Sequence, residues 1–168
     1  YKIKNKSISI FMLDKLKKRW MSSGLTNGDN ILLHTSLKRT FEEFKKNGYA
    51  INSQDILESF LDLIGSSGTL IIPTFNFDFN NGIPYDYVRT KSQTGVMTEI
   101  ARNHQDAIRT LNPVYSFAVF GKEAKLFKSM DNESWYSKKS PFNLIHKMNA
   151  KIVVVDLNDR NSMTFAHY

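Results

Sequence analysis

The chain of 168 residues contains no cysteine. This absence excludes disulfide bonds, zinc sites built on thiolates and a cysteine nucleophile. It fits a reducing compartment, and the sequence given does not open on a charged stretch followed by an apolar segment, so a cytoplasmic location is expected. No apolar run approaches the roughly 20 residues that span a bilayer. The sequence therefore predicts a protein that does not cross a membrane.

Several ligand-binding signatures are missing as well. Neither GxGxxG nor GxxxxGK[ST] occurs in the chain, which excludes the usual dinucleotide-binding oxidoreductases and P-loop proteins. The four histidines do not show a ligand spacing such as His-Glu-x-x-His. No metal is therefore expected.

Acidic residues are in short supply relative to basic ones. The chain carries 23 Lys and Arg against 16 Asp and Glu, a formal charge of +7. Such an excess attracts anionic ligands: a phosphorylated cofactor, a membrane surface or a nucleic acid. The one dense basic run, at residues 15–19, has the pattern of the outer face of a helix. It lacks the interleaved aromatic residues that favour single-strand binding, so a basic nucleic-acid-binding domain is kept only as an alternative.

Helical and strand-like segments alternate along the chain, which predicts one α/β domain over residues 1–168. Four helices are expected to begin after the N-cap residues Ser53, Thr94, Ser140 and Ser162. Strands are expected at residues 30–37, 68–75, 115–121 and 151–157, the last of them buried throughout. Because the helix after Ser162 has only six residues left to it, the chain is expected to continue beyond Tyr168 and the fold to be incomplete there.

Five blocks of sequence, in order, resemble one enzyme family. They are GDNILLHTSL at 28–37, GTLIIPTF at 68–75, TGVMTEIAR at 94–102, RTLNP with SFAVFG at 109–121, and SMTFAHY at 162–168. Each block alone is weak evidence for a family, but five blocks in the same order and at roughly the same spacing are specific evidence. Together they resemble the aminoglycoside 3-N-acetyltransferase family.

The resemblance implies a fold, a reaction and a set of residues. The implied fold is a three-layer α/β/α domain around a central mixed sheet, and the implied activity is transfer of acetyl from acetyl-CoA to an amine of an amino sugar or aminoglycoside. His167 would be the general base, and the family pattern places a carboxylate three residues after it, beyond Tyr168. The implied acetyl-CoA cleft is formed by two strand exits and a helix start: Thr35, Ser36, Leu37, Lys38, Pro73, Thr74, Phe75, Gly95 and Val96.

The residues themselves support these roles to different degrees. Histidine has an ordinary pKa near ~6.5, which suits proton abstraction near neutral pH, although His167 could equally be a surface residue of a helix. Hydroxyls and free amides at a strand exit can hold a pantetheine amide or a phosphate, or simply close an ST turn. His34 ends an apolar strand, a common position for active-site groups in α/β folds, but a packed residue bonded to the backbone is the favoured interpretation. His104 and His146 are interpreted as a solvated turn residue and a partly exposed helix residue.

The residues that bind the acceptor are expected in a long segment at residues 76–91. This segment contains an Asn-Asn-Gly turn, a proline and many aromatic rings. Asp78, Asp86 and Glu99 are the candidate acids for binding the acceptor, and the alternative that they are surface charges stays open. A non-catalytic protein with the same fold is the second functional hypothesis. The oligomeric state is not predicted.

Overall fold

The computed structural model describes residues 2–130, 134–158 and 163–168. Within these ranges lie six helices: α1 (Lys2–Ser22), α2 (Lys38–Lys46), α3 (Ser53–Ile64), α4 (Val96–Asn103), α5 (Ala124–Lys128) and α6 (Pro141–Lys147). The same described residues form five strands: β1 (Asn30–Thr35), β2 (Thr69–Pro73), β3 (Ile108–Arg109), β4 (Phe117–Gly121) and β5 (Lys151–Val155). Short 3-10 helices cover Asp78–Asn81 and Met163–His167. Within this part of the chain, no helix has the length and apolar character needed to cross a membrane.

The five strands form one mixed sheet in the order β3-β4-β2-β1-β5. β1 lies at the centre of the parallel half, where it pairs in parallel with β2 and with β5. β2 pairs with β4 in antiparallel fashion, and β4 pairs with β3 in the same way. Because β1 and β2 run in the same direction, their carboxyl ends open at the same edge of the sheet, which is where α/β proteins place their ligands.

The sheet is covered by helices on both faces, and strict alternation along the strands assigns each side chain to one of them. Ile31 and Leu33 of β1 join the core formed with α1, α3 and α4, whereas Leu32 joins the core formed with α5 and α6. Since successive strand residues point to opposite faces, a strand buried on both sides must be apolar throughout. The predicted three-layer α/β/α arrangement around a mixed sheet is confirmed.

Two of the predicted helix starts are displaced by one residue. Asn52, not Ser53, is the N-cap of α3, and it forms a capping box in which Asn52 and Asp55 each bond the other's backbone amide. Gly95, not Thr94, is the N-cap of α4. At α3 the Asn52–Asp55 box satisfies the first amides locally, whereas at α4 the Thr94 hydroxyl bonds the Pro73 carbonyl and does not cap the helix.

The other two predicted starts have different outcomes. The start after Ser140 is confirmed, because its hydroxyl accepts the Asn143 amide at 3.3 Å and Pro141 is the first residue of α6. Ser162 lies outside the described residues.

β5 corrects the prediction of a fully buried strand. It pairs with β1 along one side only, and within the described residues nothing pairs with its other side. As a result Ile152 and Val154 are 42% and 37% exposed. An apolar run indicates burial of a strand on average, but the order of strands in the sheet decides it.

Candidate acetyl-donor cleft

A cleft of about 720 Å³ lies at the carboxyl ends of β1 and β2. Its lining combines apolar side chains with hydroxyls and carries no Asp, Glu, Lys or Arg among the residues that the structure describes. Seven of the predicted cofactor residues line it: Thr35, Ser36, Leu37, Pro73, Phe75, Gly95 and Val96. The structure therefore brings the strand exits of two sequence blocks and the helix start of a third into one place.

Two of the predicted cofactor residues do not line the cleft. Thr74 is fully buried, and its hydroxyl contacts the Ser116 hydroxyl at 2.9 Å. Lys38 begins α2 and lines a separate groove of about 420 Å³ next to the cleft.

Sequence reasoning also missed cleft residues that carry no polar signal or lie far along the chain: Phe41, Phe77, Met97, Leu157 and Thr164.

The exit of β1 turns sharply into α2. Leu37 adopts a left-handed conformation, with φ of 65°, and precedes the helix without capping it by its side chain. The cap comes from elsewhere: the Asp156 carboxylate, beyond the end of β5, accepts the Thr40 amide at 2.7 Å. A carboxylate at a helix N-terminus is favourable because it meets the positive end of the helix dipole. This contact links residues 116 positions apart, so no local pattern predicts this cap.

The start of α4 faces the same cleft. Gly95 has φ of 121°, a conformation that side chains disfavour, and no side chain caps the helix N-terminus there. The Thr94 hydroxyl instead donates to the Pro73 carbonyl at 3.0 Å and ties the helix start to the exit of β2. The first amides of α4 are thereby left at the cleft wall, where they can bind an anionic or carbonyl oxygen.

The long segment between β2 and α4 forms a second cavity of about 390 Å³, here termed the loop pocket. Its lining residues are Asn76, Asp78, Phe79, Ile83, Pro84, Tyr85, Arg89, Thr90, Lys91 and Gln93. Gln93 lines both the loop pocket and the cleft, so the two cavities adjoin. The Asp78 carboxylate accepts the Gln93 side-chain amide at 2.8 Å. Of the three predicted acceptor-side acids, Asp78 alone lines this pocket.

Asp86 and Glu99 have structural partners instead. Asp86 accepts the backbone amides of Val88 and Arg89 at 2.8 and 2.7 Å, which closes a turn and lowers the pKa of its carboxyl. Glu99 forms an ion pair with Arg102 at 2.7 Å and accepts the Ser92 amide. Burial raises the pKa of Glu99 while these two contacts lower it, and the net shift is downward.

Arg109 holds the long segment at residues 76–91 in place through hydrogen bonds. The residue is 4% exposed, and its guanidinium donates to the carbonyls of Tyr87 and Thr90 at 2.7 and 2.9 Å and to the Ser116 hydroxyl at 3.3 Å. It also lies 5.1 Å from the centre of the Tyr85 ring. Burial lowers the pKa of Arg109, but the group stays charged at any working pH.

His167 ends the 3-10 helix Met163–His167 with an exposed side chain. This segment packs on α6: Phe165 contacts the Phe142 ring at 6.2 Å, and the Tyr168 hydroxyl donates to the Asn143 side chain at 2.6 Å. Thr164 lines the cleft, whereas His167 does not. The base role of His167 remains a prediction.

His34 is packed as expected but lacks the expected bond to the backbone of the described residues, and the interpretation of His104 as solvated is wrong. His34 is 8% exposed, but its Nε2 has no hydrogen-bond partner in the described part of the chain. Burial lowers the pKa of His34 to about 4. His104 is partly buried: its Nε2 lies 3.5 Å from a Glu58 oxygen and its ring meets the Phe120 ring edge-on at 5.4 Å. His146 is exposed on α6, as predicted.

The basic run of α1 is largely paired with acids. Lys17 contacts Asp62 at 2.8 Å, Lys18 contacts Asp14 at 2.7 Å, and Arg19 contacts Glu43 at 2.8 Å. Because these acids neutralise part of the basic run, its electrostatic attraction for a polyanion such as a nucleic acid is reduced. This surface therefore does not support the nucleic-acid alternative. Among the described residues, no group of three or more His, Asp or Glu side chains could hold a metal ion.

Comparison with known proteins identifies the family. A family model described as aminoglycoside 3-N-acetyltransferase matches residues 32–168. The chain belongs to this family. Aminoglycoside N(3)-acetyltransferase IX of Micromonospora chalcea is 32% identical over 93 residues, which are 55% of this chain and 26% of that protein.

Solved structures of similar fold extend the comparison. Sisomicin-bound AAC-VIa aligns with a TM-score of 0.77 at 19% identity, over 93% of this chain and 63% of the other. AAC-IIIb in a binary complex with CoASH aligns with a TM-score of 0.69 at 18% identity, over 84% of this chain and 58% of the other. At such identities the likeness establishes the fold alone. The chain spans about a quarter of the curated relative and about three fifths of these structures.

Proposed function

We propose that the protein is an acetyl-CoA-dependent N-acetyltransferase that acts on an amino sugar or an aminoglycoside. The observation that carries this proposal is the cleft, because residues from four of the five family sequence blocks meet there at the carboxyl ends of parallel strands. AAC-IIIb, a structural neighbour, binds CoASH. Membership in the family makes acetyl transfer the first reaction to test.

The chemistry of the cleft suits the acyl donor. A pantetheine-type arm is an apolar chain interrupted by amides, and the cleft offers apolar walls together with the hydroxyls of Thr35 and Ser36. The uncapped N-terminus of α4 supplies amides for the thioester carbonyl oxygen, which becomes an oxyanion during transfer.

The reaction follows from these groups. The acceptor amine attacks the thioester carbonyl carbon, His167 takes the proton from the nitrogen, and a C–N bond forms. The oxyanion then collapses, the C–S bond breaks, and the sulfur leaves with the bonding electron pair and receives the proton. The products are the N-acetylated acceptor and the free thiol.

Blocking the cleft should weaken donor binding. In Ser36→Trp, an exposed cleft residue is replaced by a large ring, and we expect the Kd for acetyl-CoA to rise at least about tenfold in calorimetry on the full chain, a change of about 1.4 kcal/mol. Ser129→Trp, at the exposed end of α5 and remote from the cleft, is the matched control and should bind like the wild type. Equal affinity in both variants would place the donor outside the cleft. A wild type that shows neither heat nor thermal shift with millimolar acetyl-CoA would refute the proposed function.

The acceptor is proposed to be a neutral or anionic amino sugar rather than a polycationic aminoglycoside. The loop pocket holds one carboxylate, Asp78, beside Arg89 and Lys91, and the adjoining cleft has no acid among its described residues. Several ammonium groups would therefore find one counter-charge and two like charges. The net charge of +7 acts in the same direction.

This preference can be measured as a ratio of kcat/KM values. We expect a nucleotide-linked amino sugar to exceed sisomicin by about tenfold or more at physiological salt, because about 1.4 kcal/mol of electrostatic discrimination gives that factor. Glucosamine, which has one amine and no anionic group, is the control for sugar recognition alone. A clear preference for sisomicin would contradict the assignment, and would match AAC-VIa, which binds that compound.

A further inference from the structure

His34 occupies an unusual position for a histidine without a partner. It lies in β1, the strand between β2 and β5, opposite Val154 in the register. Its side chain is 8% exposed and forms part of the wall of the cleft. By strand alternation it points to the same face as Leu32, where the sheet otherwise presents apolar residues. A leucine or phenylalanine would fill such a position without burying a polar atom.

The unpartnered atom is Nε2, which makes no hydrogen bond with the described residues and is shielded from solvent. More than nine in ten buried polar groups in proteins are hydrogen-bonded, so an exception at a cavity wall points to a partner that the described chain does not supply. Burial lowers the pKa of His34 to about 4, so the ring is neutral at physiological pH. A neutral imidazole carries one N–H and one acceptor nitrogen, and can pair with a carbonyl oxygen or an amide N–H.

We propose that His34 binds the acyl donor directly, by a hydrogen bond from its imidazole to a carbonyl or amide group of the thioester arm in the cleft. The inference rests on the proposed function, since it assumes that the cleft receives the donor. It assigns His34 to binding and not to proton abstraction, because a neutral ring of such low basicity is a weak base. The proton-accepting role therefore stays with His167.

The test compares variants that differ only in hydrogen bonding. His34→Phe keeps a ring of similar size but removes both nitrogens, whereas His34→Gln keeps an amide that can reach the Nε2 position. Thr40→Val is the matched control, because Thr40 Oγ1 is another buried atom without a partner among the described residues but does not line the cleft. Calorimetry with acetyl-CoA on the full chain gives the affinities, and thermal melts without ligand report on folding.

We expect His34→Phe to raise the Kd for acetyl-CoA about 5- to 20-fold, the range that loss of one neutral hydrogen bond produces, with a melting temperature close to that of the wild type. His34→Gln should stay within about threefold of the wild-type affinity, and Thr40→Val should match the wild type. A folded His34→Phe that binds acetyl-CoA within twofold of the wild type overturns the inference while leaving the proposed function intact. A wild type that binds no acetyl-CoA overturns both.

A measurement on the wild type covers the case in which His34→Phe does not fold. In ¹⁵N spectra of histidine side chains, the His34 signals are identified by their loss in His34→Gln. Addition of CoA should shift the Nε2 signal of His34 and leave that of His104 unchanged. Binding of CoA without any change at His34 overturns the inference.

Discussion

Replacing His167 by alanine is expected to lower kcat by about 10²–10⁴, the usual contribution of a general base, with little change in the affinity for acetyl-CoA. The base acts on the proton of the acceptor amine and not on the bound donor. The variant should therefore lose turnover while its Kd for acetyl-CoA stays nearly unchanged. Thiol release from acetyl-CoA by the full chain gives kcat, and calorimetry gives the donor Kd. His167 lies on the same segment as Thr164, which lines the cleft, and this experiment tests whether His167 acts there.

His104→Gln is the control for this experiment. His104 is a histidine at the end of α4 that contacts Glu58 and lines neither the cleft nor the loop pocket, so its replacement should leave kcat within about twofold. Wild-type turnover in His167→Ala would show that His167 is structural and that another group accepts the proton. A large loss of donor affinity in the same variant would instead make His167 a binding residue.

Replacing Arg109 by methionine is expected to destabilise the protein by about 2–4 kcal/mol. Methionine retains much of the stem but leaves the carbonyls of Tyr87 and Thr90 without their donor, whereas the Ser116 hydroxyl keeps its contacts with Thr74. Urea unfolding measures the loss of stability, and limited proteolysis tests whether cleavage within residues 76–93 becomes faster. The KM for the acceptor should rise more than the KM for acetyl-CoA, because these residues form the loop pocket.

Arg89→Met is the matched control on the same segment. Arg89 is exposed, so its replacement should change the free energy of unfolding by no more than about 0.5 kcal/mol. If Arg109→Met is equally mild and residues 76–93 remain resistant to protease, the segment is held by other contacts, and the anchoring role of Arg109 is wrong.

The sequence by itself determined the class of fold, whereas the donor cleft was expected at these strand exits because of the family resemblance. Strand-length apolar runs alternating with amphipathic segments indicate an α/β domain, because periods of 2 and 3.6 residues are set by local backbone geometry. The strand exits at residues 35–37 and 73–75 were predicted for the same reason, since a turn chemistry of Thr, Ser and Pro after an apolar run is a local signal. The family blocks then added the reaction.

The tertiary structure decided which of the candidate residues are available for chemistry. Glu99 and Asp86 have the residue type of acceptor-binding acids, but Arg102 and the amides of Val88 and Arg89 occupy their oxygens. His34 shows the opposite outcome. It was expected to be hydrogen-bonded, but its Nε2 has no partner among the described residues. Exposure of β5 and the Asp156 cap on α2 likewise depend on which strand lies beside which. The hydrogen-bond partners and the burial of these residues depend on contacts between residues far apart in the chain. Such contacts produce no periodic pattern in a single sequence, so they could not be predicted from it.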